Sequence, residues 1–255
     1  MASIALQPGI IYGPVLSRRL GRSIGINLLP VDRKVCSFDC VYCQYGRTAV
    51  LETAPSCEMM PSTETVLWAV EKALKKPRTI DVLTFSGNGE PTLHPDFNEI
   101  VREVRELVDR VRPNVGIGLL SNASRAMEDE IQSALQWIDL PIMKLDAGDP
   151  ETFQAINRPV TSIKFESIVS GLKSIKHLIL QSVLIDGDVS NTTGNAFVAW
   201  KALIGELHPR KVQIYSSERP TAESSVSCVG GNRLKKIAED LRSIYGVDAE
   251  AFWRE

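Results

Sequence analysis

Six times along the 255-residue chain, a short apolar, β-branched run is followed by a stretch with helical periodicity. The apolar runs are residues 24–29, 80–85, 116–120, 142–145, 178–185 and 212–215. They are apolar on both faces and bounded by Gly, Pro, Asn or Asp, the pattern of buried parallel strands. The clearest helical pattern covers 95–111, where Phe97, Ile100, Val101, Val104, Leu107, Val108 and Val111 share one stripe. Pro95 suits a first turn and Pro113 follows the end. Weaker patterns cover 63–76, 127–136, 164–176, 194–207 and 232–245. The alternation predicts repeated βαβ units with right-handed crossovers. Six units are too few for a closed eight-stranded barrel, and no dinucleotide fingerprint follows the first strand. A partial, open barrel and a doubly wound sheet both fit. In either, functional groups belong at the C-terminal ends of the strands.

A formal charge of −2, with 44% apolar and 24% charged residues, is the balance of an ordinary soluble protein. It argues against a surface built mainly for nucleic-acid phosphates, although Arg18, Arg19 and Arg22 form a local basic cluster in an N-terminal stretch suited to binding an anion or covering a site. No apolar run approaches the ~18 residues of a membrane span. The N-terminus has no basic segment before an apolar one, so the expectation is a cytoplasmic protein with no secretory signal and no membrane partner. Length and pattern predict one domain over 1–255, with a core at about 20–220 and a C-terminal helical extension at 221–255.

The five cysteines carry the chemistry. Cys36, Cys40 and Cys43 crowd into eight positions directly after the first predicted strand; Cys57 and Cys228 stand apart. An odd, clustered set does not describe a disulfide framework, and such crowding points to a metal or redox centre. Three thiolates at these spacings can wrap one corner of an iron–sulfur cluster. The alternative is zinc, which wants four closed ligands, and His94, His177 and His208 form no H-x3-5-H half-site.

Cys36-Ser-Phe-Asp-Cys40-Val-Tyr-Cys43 resembles the C-x3-C-x-aromatic-C signature of the radical S-adenosylmethionine (SAM) superfamily. Ser86-Gly-Asn-Gly-Glu-Pro, after the second predicted strand, is similar to that family's G-G-E-P element, with Asn88 in place of its first glycine. The resemblance implies a partial (β/α)6 barrel and a 4Fe–4S cluster on Cys36, Cys40 and Cys43 with one iron open to SAM. It further implies reductive cleavage of SAM to a 5′-deoxyadenosyl radical that abstracts a substrate hydrogen. Tyr42 occupies the aromatic position that meets the adenine. Asn88, Gly89 and Glu90 would meet the cofactor's amino group, and Ser121, Asn122, Asp146 and Ser182 at later strand ends its ribose and carboxylate. Lys144, Tyr215 and Arg219 are the candidate catalytic or substrate-contacting residues; Gln181 and Ser182 alternate with apolar neighbours and are expected to point into the barrel, and Gln213 shares a strand face with Tyr215.

The resemblance also implies an electron donor such as flavodoxin or ferredoxin. Within the superfamily, C-V-Y-C-Q, G-N-G-E-P-T, K-L-D-A and Q-I-Y are similar to a group loosely labelled as related to wyosine-tRNA synthases. The chain departs from those synthases in having no cysteine before Cys36 and Gln44-Tyr45 after Cys43. Glycyl-radical-activating enzymes are a second comparison, similarly short. Small-molecule, peptide and RNA substrates stay open. So does a non-catalytic iron–sulfur or zinc-binding interaction module.

Overall fold

The chain is described by a computed structural model covering residues 4–56 and 60–254. In chain order its elements are β1 (Ile11–Ser17), β2 (Gly21–Ile26), β3 (Val35–Cys36), β4 (Val50–Leu51), α1 (Thr63–Lys75), β5 (Val82–Phe85), α2 (Phe97–Val111) and β6 (Gly116–Ser121). There follow α3 (Asp129–Leu135), β7 (Leu140–Lys144), α4 (Pro150–Asn157), α5 (Phe165–Ser174), β8 (Ile179–Val183), β9 (Ile185–Gly187), α6 (Gly194–Leu207) and β10 (Lys211–Tyr215). The chain closes with β11 (Val226–Cys228), α7 (Gly231–Tyr245) and β12 (Ala249–Phe252).

The six predicted strands become β2, β5, β6, β7, β8 and β10, parallel neighbours in that order within one eight-stranded sheet. Helices cover the outer face, and their apolar stripes meet the sheet as the periodicity requires. In α2 the residues Phe97, Ile100, Val101, Val104, Leu107 and Val108 are all buried, and Trp200 of α6 is 0% exposed. Among the described residues no helix is long and apolar enough to cross a membrane. The sheet is curled and open, a partial barrel, rather than doubly wound.

Three features differ from the sequence expectation, each for a local reason. The first strand stops at Ile26 because the Asn27 carboxamide turns the chain: it donates to Leu29 O at 2.8 Å and accepts from Asn88 N at 3.0 Å. The run 178–185 divides after Val183, where Asn191 accepts from Ile185 N and donates to Val183 O, both at 2.8 Å. Ile185–Gly187 then leaves the main sheet to pair with β11. Finally, two strands lie outside the six-fold pattern. β1 pairs antiparallel with β2, and β12 pairs parallel with β10, so the stretch 221–255 adds a strand to the sheet as well as a helix.

Across the open side of the sheet, side chains of the β1–β2 turn reach β10 and the loop after it, with the Arg19 guanidinium 4.3 Å from the Tyr215 ring centroid and Arg18 paired to Glu218 at 3.1 Å.

The cysteine segment is fixed to the sheet by a backbone bridge. Val35 N donates to Asn88 O at 3.0 Å, and Glu90 N donates to Val35 O at 3.1 Å. Gly89 lies between them with φ of +144°, and a Cβ there would fall 1.6 Å from the Val35 carbonyl oxygen. Both the dihedral and the overlap demand glycine. Gly89→Ala is therefore expected to cost at least about 2 kcal/mol and to lower Tm by roughly 4–8 °C. Gly9→Ala, where a Cβ meets nothing within 4 Å, is the control. Equal melting temperatures for the two variants in thermal unfolding would contradict this account of the bridge.

Candidate functional site

The C-terminal ends of the parallel strands and the cysteine segment enclose a cavity of about 430 Å³. Its wall carries Lys34, Cys36, Cys40, Tyr42 and Cys43 from the segment, and Ser86, Gly87 and Gly89 from the end of β5. Lys144, Gln181, Tyr215 and Arg219 complete it from β7, β8, β10 and the loop beyond.

The cysteine segment is held at several points, so the thiols do not depend on one another for placement. Val35 and Cys36 pair with Val50 and Leu51. Asp39 accepts from Thr48 N at 2.7 Å and from Arg47 at 2.8 Å, and Arg47 and Arg158 both bond Glu223. Val41 N donates to Ile156 O at 2.9 Å and Cys43 N to Cys40 O at 3.0 Å.

The sulfurs sit in a low-dielectric wall. Cys36 is 8% exposed; its Sγ accepts from Phe38 N at 3.5 Å and faces Asn122 Nδ2 at 3.6 Å. Cys40 Sγ receives Asn157 Nδ2 at 3.5 Å. Burial pushes the Cys36 thiol well above its ordinary range and the Cys40 thiol up to about 11. Lys34 supplies the opposing charge. Burial disfavours its ammonium, but Cys43, Cys36 and Cys40 together hold its pKa above the ordinary lysine value, and its Nζ donates to Gly46 O at 3.0 Å. A buried cation beside three thiols is what three thiolates need for compensation.

Among the described residues no three His, Cys, Asp or Glu side chains converge closely enough to hold one metal ion. The three thiols instead line a cavity, an arrangement suited to a body larger than an ion, and soft sulfur donors suit iron–sulfur chemistry. Cys228 is exposed on β11, and Cys57 lies outside the described residues. The donor set fits a cluster held at three corners.

The G-N-G-E-P turn is more internally bonded than its sequence suggests. Glu90 is 2% exposed. Its Oε1 accepts from Thr92 N at 3.1 Å, Thr92 Oγ1 at 2.7 Å and Ser121 Oγ at 2.8 Å, and its Oε2 from Asn122 N at 2.6 Å. Burial raises its pKa despite these bonds. Glu90 thus ties the end of β5 to that of β6, with Oε2 retaining acceptor capacity. Asn88 faces away from the cavity, binding Gln7 O at 3.0 Å and Pro30 O at 2.8 Å. Its carboxamide clamps the N-terminal segment and is not part of the cavity lining.

A polar network closes the interior. Asp146, its side chain fully buried, accepts from Val183 N at 2.7 Å, Asn157 Nδ2 at 2.9 Å and the Tyr42 hydroxyl, and lies 3.0 Å from Lys144 Nζ. Burial, then the neighbouring carboxylate, pushes the Tyr42 phenol well above its usual pKa, so it stays a donor. Lys144 Nζ also lies 5.1 Å from the Tyr42 ring centroid and 5.2 Å from that of Tyr215. Burial opposes its charge, but Asp146 keeps its pKa above the ordinary lysine value. Gln181 Nε2 donates to Gln213 Oε1 at 3.0 Å, and Tyr215 reaches Gln181 Oε1 at 3.3 Å.

Ser182 also lies off the cavity lining. Strand alternation sends it opposite to Gln181, toward the helical layer, where it bonds Leu145 O and receives Trp200 Nε1 at 3.2 Å. Ser121 and Asn122 lie behind the cavity wall, Asn122 supporting Ser37 Oγ at 2.9 Å. Two residues central to the site were missed in the sequence. Lys34 could have been found, because two residues before Cys36 in an extended segment it shares that side chain's face. Asn157 carries no local signal, since it is the last residue of α4 and only tertiary packing brings it to Cys40.

Residues 33–187 match the model of the Radical SAM superfamily, a range that includes the cysteine segment and strands β3 to β9. The chain is 31% identical over 226 residues to a UPF0026 protein of Helicobacter pylori, covering 85% of this chain and 68% of that one. It is 29% identical over 230 residues to a protein named GTPase Obg from Brachyspira hyodysenteriae, covering 89% of this chain but only 32% of that much longer protein. In structure it resembles TYW1 solved with a lysine-pyruvate adduct bound, at TM-score 0.60 and 16% identity over 88% of this chain and 74% of that one, a likeness of fold. With three thiols on one wall of a partial barrel and a family match spanning them, the chain belongs to the radical SAM superfamily.

Proposed function

We propose that the chain is a radical SAM enzyme in which Cys36, Cys40 and Cys43 hold a 4Fe–4S cluster and SAM occupies the adjoining cavity. The observation that carries this reading is the wall itself: three thiols beside a buried lysine, facing the glycine-rich end of β5 across one cavity of about 430 Å³. Together, cluster and SAM supply one-electron cleavage of the sulfonium and an adenosyl radical able to remove a substrate hydrogen.

The protein's own groups bind, orient and shield. Lys34 offsets the charge of the thiolates. Gly87 and Gly89 present backbone without side chains to the ligand. Lys144 offers an ammonium fixed between two aromatic rings, suited to a carboxylate. Tyr42, locked to Asp146, gives a rigid polar wall, while Phe38 and Leu120 add apolar surface that limits water. The strand-end opening admits the substrate, and the reducing electron comes from a separate donor protein such as flavodoxin or ferredoxin.

The test is anaerobic reconstitution with iron and sulfide, followed by dithionite and SAM. The expected products are 5′-deoxyadenosine and methionine; their absence from protein with a full cluster spectrum would overturn the enzyme reading. Cys40→Ala is expected to abolish both cluster and products, and a complete 4Fe–4S spectrum in that variant would contradict the ligand set. Glu90→Gln places an amide donor where the carboxylate only accepts, leaving a buried N–H facing another. A loss of about 1–3 kcal/mol in urea unfolding is expected, and unchanged stability would remove Glu90 as the link between β5 and β6.

A further inference from the structure

Beside the large cavity lies a second one of about 240 Å³ that the radical reading leaves unused. Arg19, Arg219, Tyr215 and Gln44 line both, so the two spaces share a wall. The second cavity also carries Arg18, Arg254 and Glu218. Glu218 is already engaged, by Arg18 at 3.1 Å and by Arg254 at 3.5 Å. Among the described residues, neither Arg19 nor Arg219 has a carboxylate within 4.0 Å. Arg19 Nη1 is moreover buried with no hydrogen-bond partner among them.

Arg19 is half-buried and Arg219 exposed, so both guanidiniums reach the shared wall with donors open to an oxyanion. Both arginines are held by their own turns. Ser17 Oγ accepts from Arg19 N at 3.2 Å and Leu20 N at 3.1 Å, fixing the β1–β2 turn, and the Tyr215 ring lies 4.3 Å below the Arg19 guanidinium. Ser217 Oγ donates to Arg219 O at 3.1 Å. Both therefore sit on the wall shared by the two cavities, where the β1–β2 turn faces the end of β10 and the loop after it.

We propose that Arg19 and Arg219 bind a phosphate group of the substrate. The assignment to a substrate rests on the reading of the larger cavity as the radical site. Two guanidiniums without counter-charge match a phosphate dianion, whose oxygens accept paired N–H donors; a single carboxylate would leave one cation uncompensated. Lys144 differs from the two arginines in having a counter-charge, Asp146 at 3.0 Å, although its Nζ too has no hydrogen-bond partner among the described residues.

The test uses the full chain, before and after anaerobic cluster reconstitution. Isothermal titration calorimetry at low salt measures inorganic phosphate, ribose 5-phosphate, acetate and SAM. Phosphate and ribose 5-phosphate should bind, and Arg19→Gln and Arg219→Gln should each weaken them about tenfold or more. Arg18→Gln, whose partner is Glu218, should change them less than threefold. Circular dichroism checks the fold of each variant separately.

A 5′-phosphorylated oligoribonucleotide identifies the source of the phosphate. Binding that tightens with length and falls steeply with salt indicates RNA, and binding equal to ribose 5-phosphate indicates a small molecule. Acetate binding as well as phosphate, or phosphate affinity unchanged in both variants, overturns the site. SAM affinity falling in step with phosphate affinity also overturns it, because the pair would then serve the cofactor. Phosphate binding through the pair without SAM cleavage would instead preserve the site and remove the radical reading.

Discussion

The position of the thiols depends on one close approach between two backbones. Val35 and Gly89 pass so near that a Cβ at position 89 would overlap the Val35 carbonyl at 1.6 Å. Two hydrogen bonds use that closeness, Val35 N to Asn88 O and Glu90 N to Val35 O. The bridge brings Cys36 to the C-terminal end of β5, and Glu90 carries the constraint onward to Thr92, Ser121 and Asn122. Asn122 in turn reaches back to Ser37 and Cys36. The cysteine segment, the glycine-rich turn and the end of β6 are thereby one bonded unit, and the glycine that the family's motif reserves for a ligand serves first to join the chain to itself.

Charge is arranged locally in a chain whose net charge is only −2. Lys34 sits among thiols, Lys144 against Asp146, and Arg47 and Arg158 converge on Glu223 to pin the segment from outside. Each of these cations has its counter-group. Among the described residues Arg19 and Arg219 have no such partner, and both line the wall shared by the two cavities.

The parallel core was legible because its determinants are local. Short apolar runs bounded by turn residues, and the stripe of α2, translate directly into buried strands and a buried helix face. The outer strands were not. β1 is half exposed, so it lacks the continuous apolar run of a buried strand, and β12 has only four residues, Ala249–Phe252. Both exist because a neighbour offers unpaired backbone groups, a tertiary cause that a sequence window does not contain. In the site, the cysteine triad and the G-N-G-E-P turn were recognisable from spacing. Side-chain direction was not: Ser182 lies beside Gln181 in sequence but faces Trp200, and Asn88 replaces a glycine but turns to Gln7 and Pro30. Asn157 joins Cys40, Tyr42 and Asp146 from 117 residues beyond Cys40, through contacts that only the folded chain creates.

The central claim is that three thiols on this wall leave one corner of a cluster open to SAM. Electron paramagnetic resonance of the reconstituted, reduced protein, recorded with and without SAM, tests it most directly. The account predicts the signal of a reduced 4Fe–4S cluster whose g values move when SAM is added, because the ligand meets the cluster itself. A 4Fe–4S signal unaffected by saturating SAM, with SAM binding verified independently, would contradict it.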